Sequence, residues 1–220
     1  MPDEPPTKRV VAFIDGQNLF RSVKEQWGYH FPNYDVVKLA RAVGELRASD
    51  GWNAPEVRFY TGVPSRSRSP MWASFWQRKV ASMRAASVEV YTRTLRYGQQ
   101  RFTCGSCRVE QPVTCTTCNT PMADKGREKG VDIRIALDVV RLAREHIYDV
   151  ALIFSQDQDL SEAADEVRAI ATGHRRWVKV ASAYPNGATH RRGINGTDWI
   201  KFDRATYDKC IDPRDYRQRS

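Results

Sequence analysis

Long apolar runs are missing from this 220-residue chain. None approaches the roughly 18–20 residues that a helix needs to cross a bilayer. The opening residues, MPDEPPTKR, carry acid and proline in place of the apolar stretch of a secretory leader, so the chain reads as cytoplasmic. Histidine is scarce, at four, and no spacing among the four suits an iron-binding facial triad. No GxGxxG follows a strand pattern, and no Walker A loop, GxSxG elbow or HxE…PCxxC deaminase signature occurs. Those absences remove the common dinucleotide, nucleotide-hydrolysing, serine-hydrolase and zinc-deaminase readings. Acid is in deficit as well, with Asp+Glu 26 against Lys+Arg 35 and a formal net charge of +9.

What is present is packing material and positive charge. Hydrophobic residues make up 41% of the chain, with six Trp, nine Tyr and eight Phe, enough for one full domain with a real core. The surplus charge favours a polyanion such as nucleic acid, because each neutralised phosphate releases counterions. Simple solubility is the blander explanation of the same surplus.

Short apolar runs alternate with helical patterns along the chain. Residues 9–14, RVVAFI, and 149–154, DVALIF, read as strands buried on both faces. Further strands are expected at 56–60, from Val88 toward Tyr97, and at 177–183. Helical spacing is expected from Leu19 to Trp27, over 36–46, from Trp72 to Met83, from Ile133 to Ile147 and over 160–171. The face of the third helix carrying Arg78, Lys79 and Arg84 reads as its solvated side. Alternating strands and helices predict an α/β fold, a mainly parallel sheet covered by helices on both faces.

Ligands of such sheets bind beyond the carboxyl ends of the strands. Two strands here run straight into acid: Ile14 into Asp15, and Phe154-Ser155 into Asp157 and Asp159. A third acid, Asp132, opens a helix after Lys129-Gly130-Val131. Each has an ordinary alternative: Asp15 as a helix cap, Asp159 in the capping box Asp159-Leu160-Ser161-Glu162, and Asp132 as a favourable charge at a helix N-terminus. Together they would repel one another unless a cation lay between them. Oxygen-only ligands suit Mg²⁺ or Mn²⁺, which can activate water for phosphoryl displacement.

Val11-Ala12-Phe13-Ile14-Asp15-Gly16-Gln17-Asn18, Lys129-Gly130-Val131-Asp132 and Ser155-Gln156-Asp157-Gln158-Asp159 resemble the three motifs of the NYN family. That family is a branch of the PIN-like nucleases that includes the bacterial LabA-like proteins. The likeness spans about residues 9–202 apart from a cysteine-rich segment. It implies a three-layer α/β/α sandwich and Mg²⁺- or Mn²⁺-dependent cleavage of RNA, with Asp15, Asp132, Asp157 and Asp159 holding the metal. Asn18 would then orient the first acid or a phosphate, and Ser155 would shape the turn around Asp157. Asp138 falls where relatives often have an acid. Six residues beyond Asp132 on a helix is a turn of about 120° away, however, and Arg134 and Arg141 are placed to pair with it on an exposed face. Gln156 stands where the family commonly has glycine, which motivates a second reading, a non-cleaving RNA-binding module. Asp198, in Asn195-Gly196-Thr197-Asp198-Trp199, resembles the segment that returns an acid to the site, with a turn residue as the alternative.

Cys104-Gly105-Ser106-Cys107 and Cys115-Thr116-Thr117-Cys118 form two CxxC pairs separated by seven residues, a spacing suited to structural Zn²⁺. Cys210 stands apart as an ordinary thiol. The expected organisation is a disordered tail at 1–8, an NYN-like domain at 9–98 and 124–203, a zinc-binding insert at 99–123, and a C-terminal tail at 204–220. The insert reads either as a flap holding RNA or as a staple closing a loop. Arg96, Arg101, Arg108, Lys125, Arg127 and Lys129 flank it, with Tyr97 or Phe102 for stacking. Arg66, Arg68, Arg191 and Arg192 are further phosphate candidates. Some chains similar to this combination carry a hydroxypyridine monooxygenase attribution, of the 6-hydroxy-3-succinoylpyridine type in nicotine breakdown. No flavin or nicotinamide fingerprint in these residues supports it.

Overall fold

The computed structural model describes residues 2–98, 101–122, 126–187 and 192–217. Lys125 and Arg191, and the expected insert limits at 99 and 123, lie outside those residues.

Six strands form one parallel sheet: β1 (Val10–Asp15), β2 (Glu56–Val63), β3 (Glu89–Thr94), β6 (Val150–Phe154), β7 (Lys179–Pro185) and β8 (Asp198–Phe202). Their order is β3-β2-β1-β6-β7-β8. β4 (Arg101–Thr103) and β5 (Glu110–Pro112) make a separate antiparallel hairpin. Helices α1 (Gly16–Trp27), α2 (Val36–Glu45), α3 (Pro70–Ala85) and the short α6 (Arg204–Lys209) contribute to the core on one face. Helices α4 (Val131–Arg144) and α5 (Ser161–Gly173) cover the other.

Strand periodicity explains the two cores. Ala12 and Ile14 face α1 to α3, while Val11 and Phe13 between them face α4 and α5. The same alternation in β6 sends Leu152 and Phe154 one way and Ala151 and Ile153 the other. Strands buried on both faces therefore read as continuous apolar runs, and the expected three-layer α/β/α sandwich is the fold found.

Several local expectations change. On α4 the apolar stripe expected through Ile133 and Leu137 lies outward, and these residues are 65% and 60% exposed. A second stripe at helical spacing, Val131, Ile135, Val139 and Leu142, enters the core instead. Lys79, expected on the solvated side of α3, is buried. Its Nζ donates to the Tyr34 carbonyl at 2.8 Å and lies over the Tyr34 and Tyr216 rings.

Parts of both expected tails pack against the domain. Lys8 is buried and donates to the Asp50 carbonyl at 2.5 Å. Beyond Phe202, α6 and the following residues bury Tyr207, Cys210, Asp212 and Tyr216. Among the described residues, no helix is long and apolar enough to cross a membrane.

Candidate functional site

In the strand order, β1 leads outward to β2 and β3, while β6 begins the opposite run through β7 and β8. The order reverses between β1 and β6, and a crevice at such a reversal is where open parallel sheets take ligands. Asp15 ends β1 and Ser155 follows β6, so the chain delivers two site residues to this crevice by topology alone.

Asp15 has two structural contacts. As the N-cap of α1 it accepts from the Asn18 backbone N–H through Oδ1 at 3.0 Å. Through Oδ2 it accepts from the Ser155 hydroxyl at 3.5 Å. Ser155 Oγ in turn accepts from the Asp157 backbone N–H at 3.2 Å, so one hydroxyl ties the two acid-bearing turns together. The Asn18 side chain adds a second tie, its Oδ1 accepting from the Gln156 N–H at 3.0 Å.

A cavity of about 260 Å³ opens over this junction, lined by Asp15, Asp132 and Asp157, with Asn18, Arg21 and Glu128 beside them. Three of the four acids expected from sequence therefore line one cavity. Asp159 does not line it. Its side chain is exposed, and its backbone N–H donates to Asp157 Oδ1 at 3.1 Å. The capping-box expectation for Asp159 also changes: Asp157 caps the short 3₁₀ turn at 158–160, and α5 starts at Ser161 with no side-chain cap.

Glu128 is the acid that sequence reasoning missed. It follows the cysteine segment in a basic, glycine-flanked loop, where no periodicity marks it. Gly130, in the left-handed region at φ 75°, turns the chain from this loop into α4, which carries Asp132 in its first turn.

The acids strain one another electrostatically. Burial pushes the Asp15 carboxyl up to about 6, opposed by the Asn18 N–H and reinforced by the charges of Asp132 and Asp157. Burial, with the Asp15 and Asp132 charges, pushes Glu128 to about 8, although the Gly62 N–H and Arg21 favour its charged form. Glu128 Oε1 is buried with no hydrogen-bond partner among the described residues. Among those residues, no three His, Cys, Asp or Glu side chains stand close enough together to form a metal-binding group.

The remaining candidates fall away from the crevice. Asp198 starts β8 and pairs with Lys179 at 3.0 Å. In a parallel sheet the start of a strand lies at the end opposite the acids. Asp138 pairs with Arg134 and Arg141 as expected, but it is buried and also accepts from the Tyr60 hydroxyl at 3.0 Å. Gln156, whose bulk raised the prospect of a crowded turn, points elsewhere: it accepts from the Ser22 hydroxyl and donates to the Arg192 carbonyl. Gln158 donates to the Gly193 carbonyl, so the two glutamines staple the 192–193 loop to the turn after β6.

In the insert, the two CxxC turns repeat one geometry. Cys104 N–H donates to the Val109 carbonyl and Arg108 N–H to the Cys104 carbonyl; Cys115 pairs with Thr120 and Asn119 in the same way. Arg108 and Asn119 both adopt positive φ, 60° and 53°. Backbone N–H groups of Cys107 and Ser106 lower the Cys104 thiol, and those of Cys118 and Thr117 lower Cys115 to about 7. A backbone bridge between Arg96 and Arg127 closes the base of the insert next to Glu128.

A crystal structure of a protein of unknown function from Vibrio parahaemolyticus is similar in fold. Its TM-score is 0.52 at 16% identity, over 92% of this chain and 97% of that one. A Sir2 homologue–NAD complex matches at a TM-score of 0.34 and 12% identity, over 89% of this chain and 84% of that one. MurG of Acinetobacter baumannii matches at 0.31 and 10%, over 88% and 45%. Neither of the last two carries a structural argument at that level. No curated protein sequence matches the chain. The NYN domain profile matches residues 9–195, which span β1 to the loop before β8, and the chain therefore belongs to the NYN domain family, part of the PIN-like nuclease superfamily.

Proposed function

We propose that the chain is a metal-dependent ribonuclease whose centre is the crevice between β1 and β6. The observation that carries this reading is the convergence of Asp15, Asp132 and Asp157 on one cavity at the sheet's reversal point. The donor chemistry fits a hard cation: every acid offers oxygen, and Glu128 keeps a buried carboxylate oxygen without a protein partner. Asp15, Asp132 and Asp157 would hold Mg²⁺ or Mn²⁺, with Glu128 beside them. A divalent cation supplies an activated water and stabilises the charge that develops in phosphoryl displacement.

The chain's own residues do the positioning. Ser155 fixes Asp15 relative to Asp157, and Asn18 holds the turn after β6 against α1. Arg21 lines the cavity and offers its guanidinium to a phosphate. Asp159 acts on this reading through its backbone, which orients Asp157. The net charge of +9 favours RNA as the partner. The four cysteines, Cys104, Cys107, Cys115 and Cys118, would take structural Zn²⁺, supported by their paired turns and by the backbone N–H groups that lower the Cys104 and Cys115 thiols. Neither the family nor the site favours the monooxygenase alternative.

The test is cleavage of an end-labelled single-stranded RNA with Mn²⁺. Wild type should yield product, and Asp15→Asn should lose cleavage while still binding the RNA. Cleavage by Asp15→Asn at the wild-type rate overturns the reading.

A further inference from the structure

Beside the acids lies a second, larger cavity, and the two adjoin: Gln17, Arg21 and Gly126 line both. At about 550 Å³ it falls within the rough 300–1,000 Å³ range of small-ligand pockets. Its walls are aromatic. Phe20, Trp72 and Tyr97 are only half-buried, leaving ring surface open to the cavity. Trp72 is fixed edge-on against Phe75 at 5.2 Å, and the Arg68 guanidinium lies 5.5 Å over the Tyr97 ring. Exposed cations, Arg21, Lys24 and Arg68, stand around it.

We infer that this cavity receives an unpaired base of the RNA strand, with Arg21 holding the phosphate that joins that base to the one over the acids. The inference rests on the nuclease reading for the identity of the strand. Aromatic faces accept any base by stacking, and cations beside them answer the backbone charge that the acids alone would repel. The combination suits neither a purely apolar ligand nor a duplex, whose bases are already stacked and paired. It therefore selects single-stranded or locally opened RNA and places the cleaved bond next to a stacked nucleotide.

The test is binding of a short single-stranded RNA to the full, zinc-loaded chain without added Mg²⁺ or Mn²⁺, followed by quenching of tryptophan fluorescence. An abasic ribose-phosphate oligomer and an RNA duplex of equal length serve as comparisons. The single strand should quench and bind more tightly than either. Trp72→Leu and Tyr97→Leu should each weaken it by about 10-fold, the loss expected of one stacking contact. The abasic oligomer should bind both variants as it binds wild type. Tyr97→Leu keeps the result readable if Trp72→Leu, which also loses the Phe75 contact, unfolds. Equal binding of the abasic oligomer, or wild-type affinity in both variants, overturns the inference. Stacked binding without added metal and no cleavage in Mn²⁺ overturns the nuclease reading and leaves the cavity assignment standing. Asp15-dependent cleavage by variants that bind like wild type does the reverse.

Discussion

Asp15 shows how one side chain serves fold and chemistry together. Its carboxylate caps α1, yet burial and two neighbouring acids make its charge unfavourable. Asparagine caps a helix about as well as aspartate and carries no charge. Asp15→Asn should therefore melt no lower than wild type without added Mg²⁺ or Mn²⁺, whereas Asp15→Ala should lose about 1 kcal/mol with the cap. Thermal unfolding of the two variants checks this, and a large loss of stability in Asp15→Asn would contradict it. Lys79 makes a parallel case in the core on the same face of the sheet. Burial lowers its amine from 10.5 to about 8, against the pull of Asp212 and Asp35. The unfolded chain then binds the proton more readily than the folded one between those values, so stability should rise with pH from about 8 upward. Urea unfolding at pH 8 and 9, where few tyrosines of the unfolded chain ionise, should show that rise in wild type and lose it in Lys79→Met.

At the scale of elements, the chain's last described residues belong to the core of the domain. Tyr216 is 8% exposed, packs edge-on against Phe75 and donates to Asp212 at 2.7 Å. Tyr216→Ala should cost about 3 kcal/mol, as other buried aromatic truncations do, read from the midpoint of urea unfolding. The cysteine insert should behave independently, because a bridge between Arg96 and Arg127 closes it off from the sheet. Purified protein should carry stoichiometric zinc, and Cys104→Ser should lose it while the sheet's cooperative unfolding persists. Metal analysis showing no zinc in wild type would remove the structural-zinc assignment.

The elements that could be read from sequence were those with one dominant pattern. β1 and β6 are unbroken apolar runs because both faces are covered. β8, DWIKF, is an edge strand with alternating exposure and presents no such run. α4 carries two apolar stripes at helical spacing, and only packing against α5 and the sheet decides between them. Asp15, Asp132 and Asp157, which line one cavity, could be singled out as candidates because they sit at element boundaries. Glu128 was not, because its position depends on how the base of the insert closes.

For the whole molecule, the reversal of strand order between β1 and β6 sets the acids at the centre of a basic protein. On the proposed nuclease reading, positive charge gathers RNA along the surface, and the carboxylates of the crevice determine where cleavage occurs. Position in the crevice therefore ranks the acids. Cleavage of labelled single-stranded RNA in Mn²⁺, compared across Asp157→Asn, Glu128→Gln and Asp159→Asn, measures that ranking. Asp157→Asn should abolish product, Glu128→Gln should reduce it strongly, and Asp159→Asn, which keeps the backbone bond to Asp157, should lose less than about 10-fold, under 1.4 kcal/mol of transition-state stabilisation. Full cleavage by Asp157→Asn, or its loss in Asp159→Asn alone, would contradict the account.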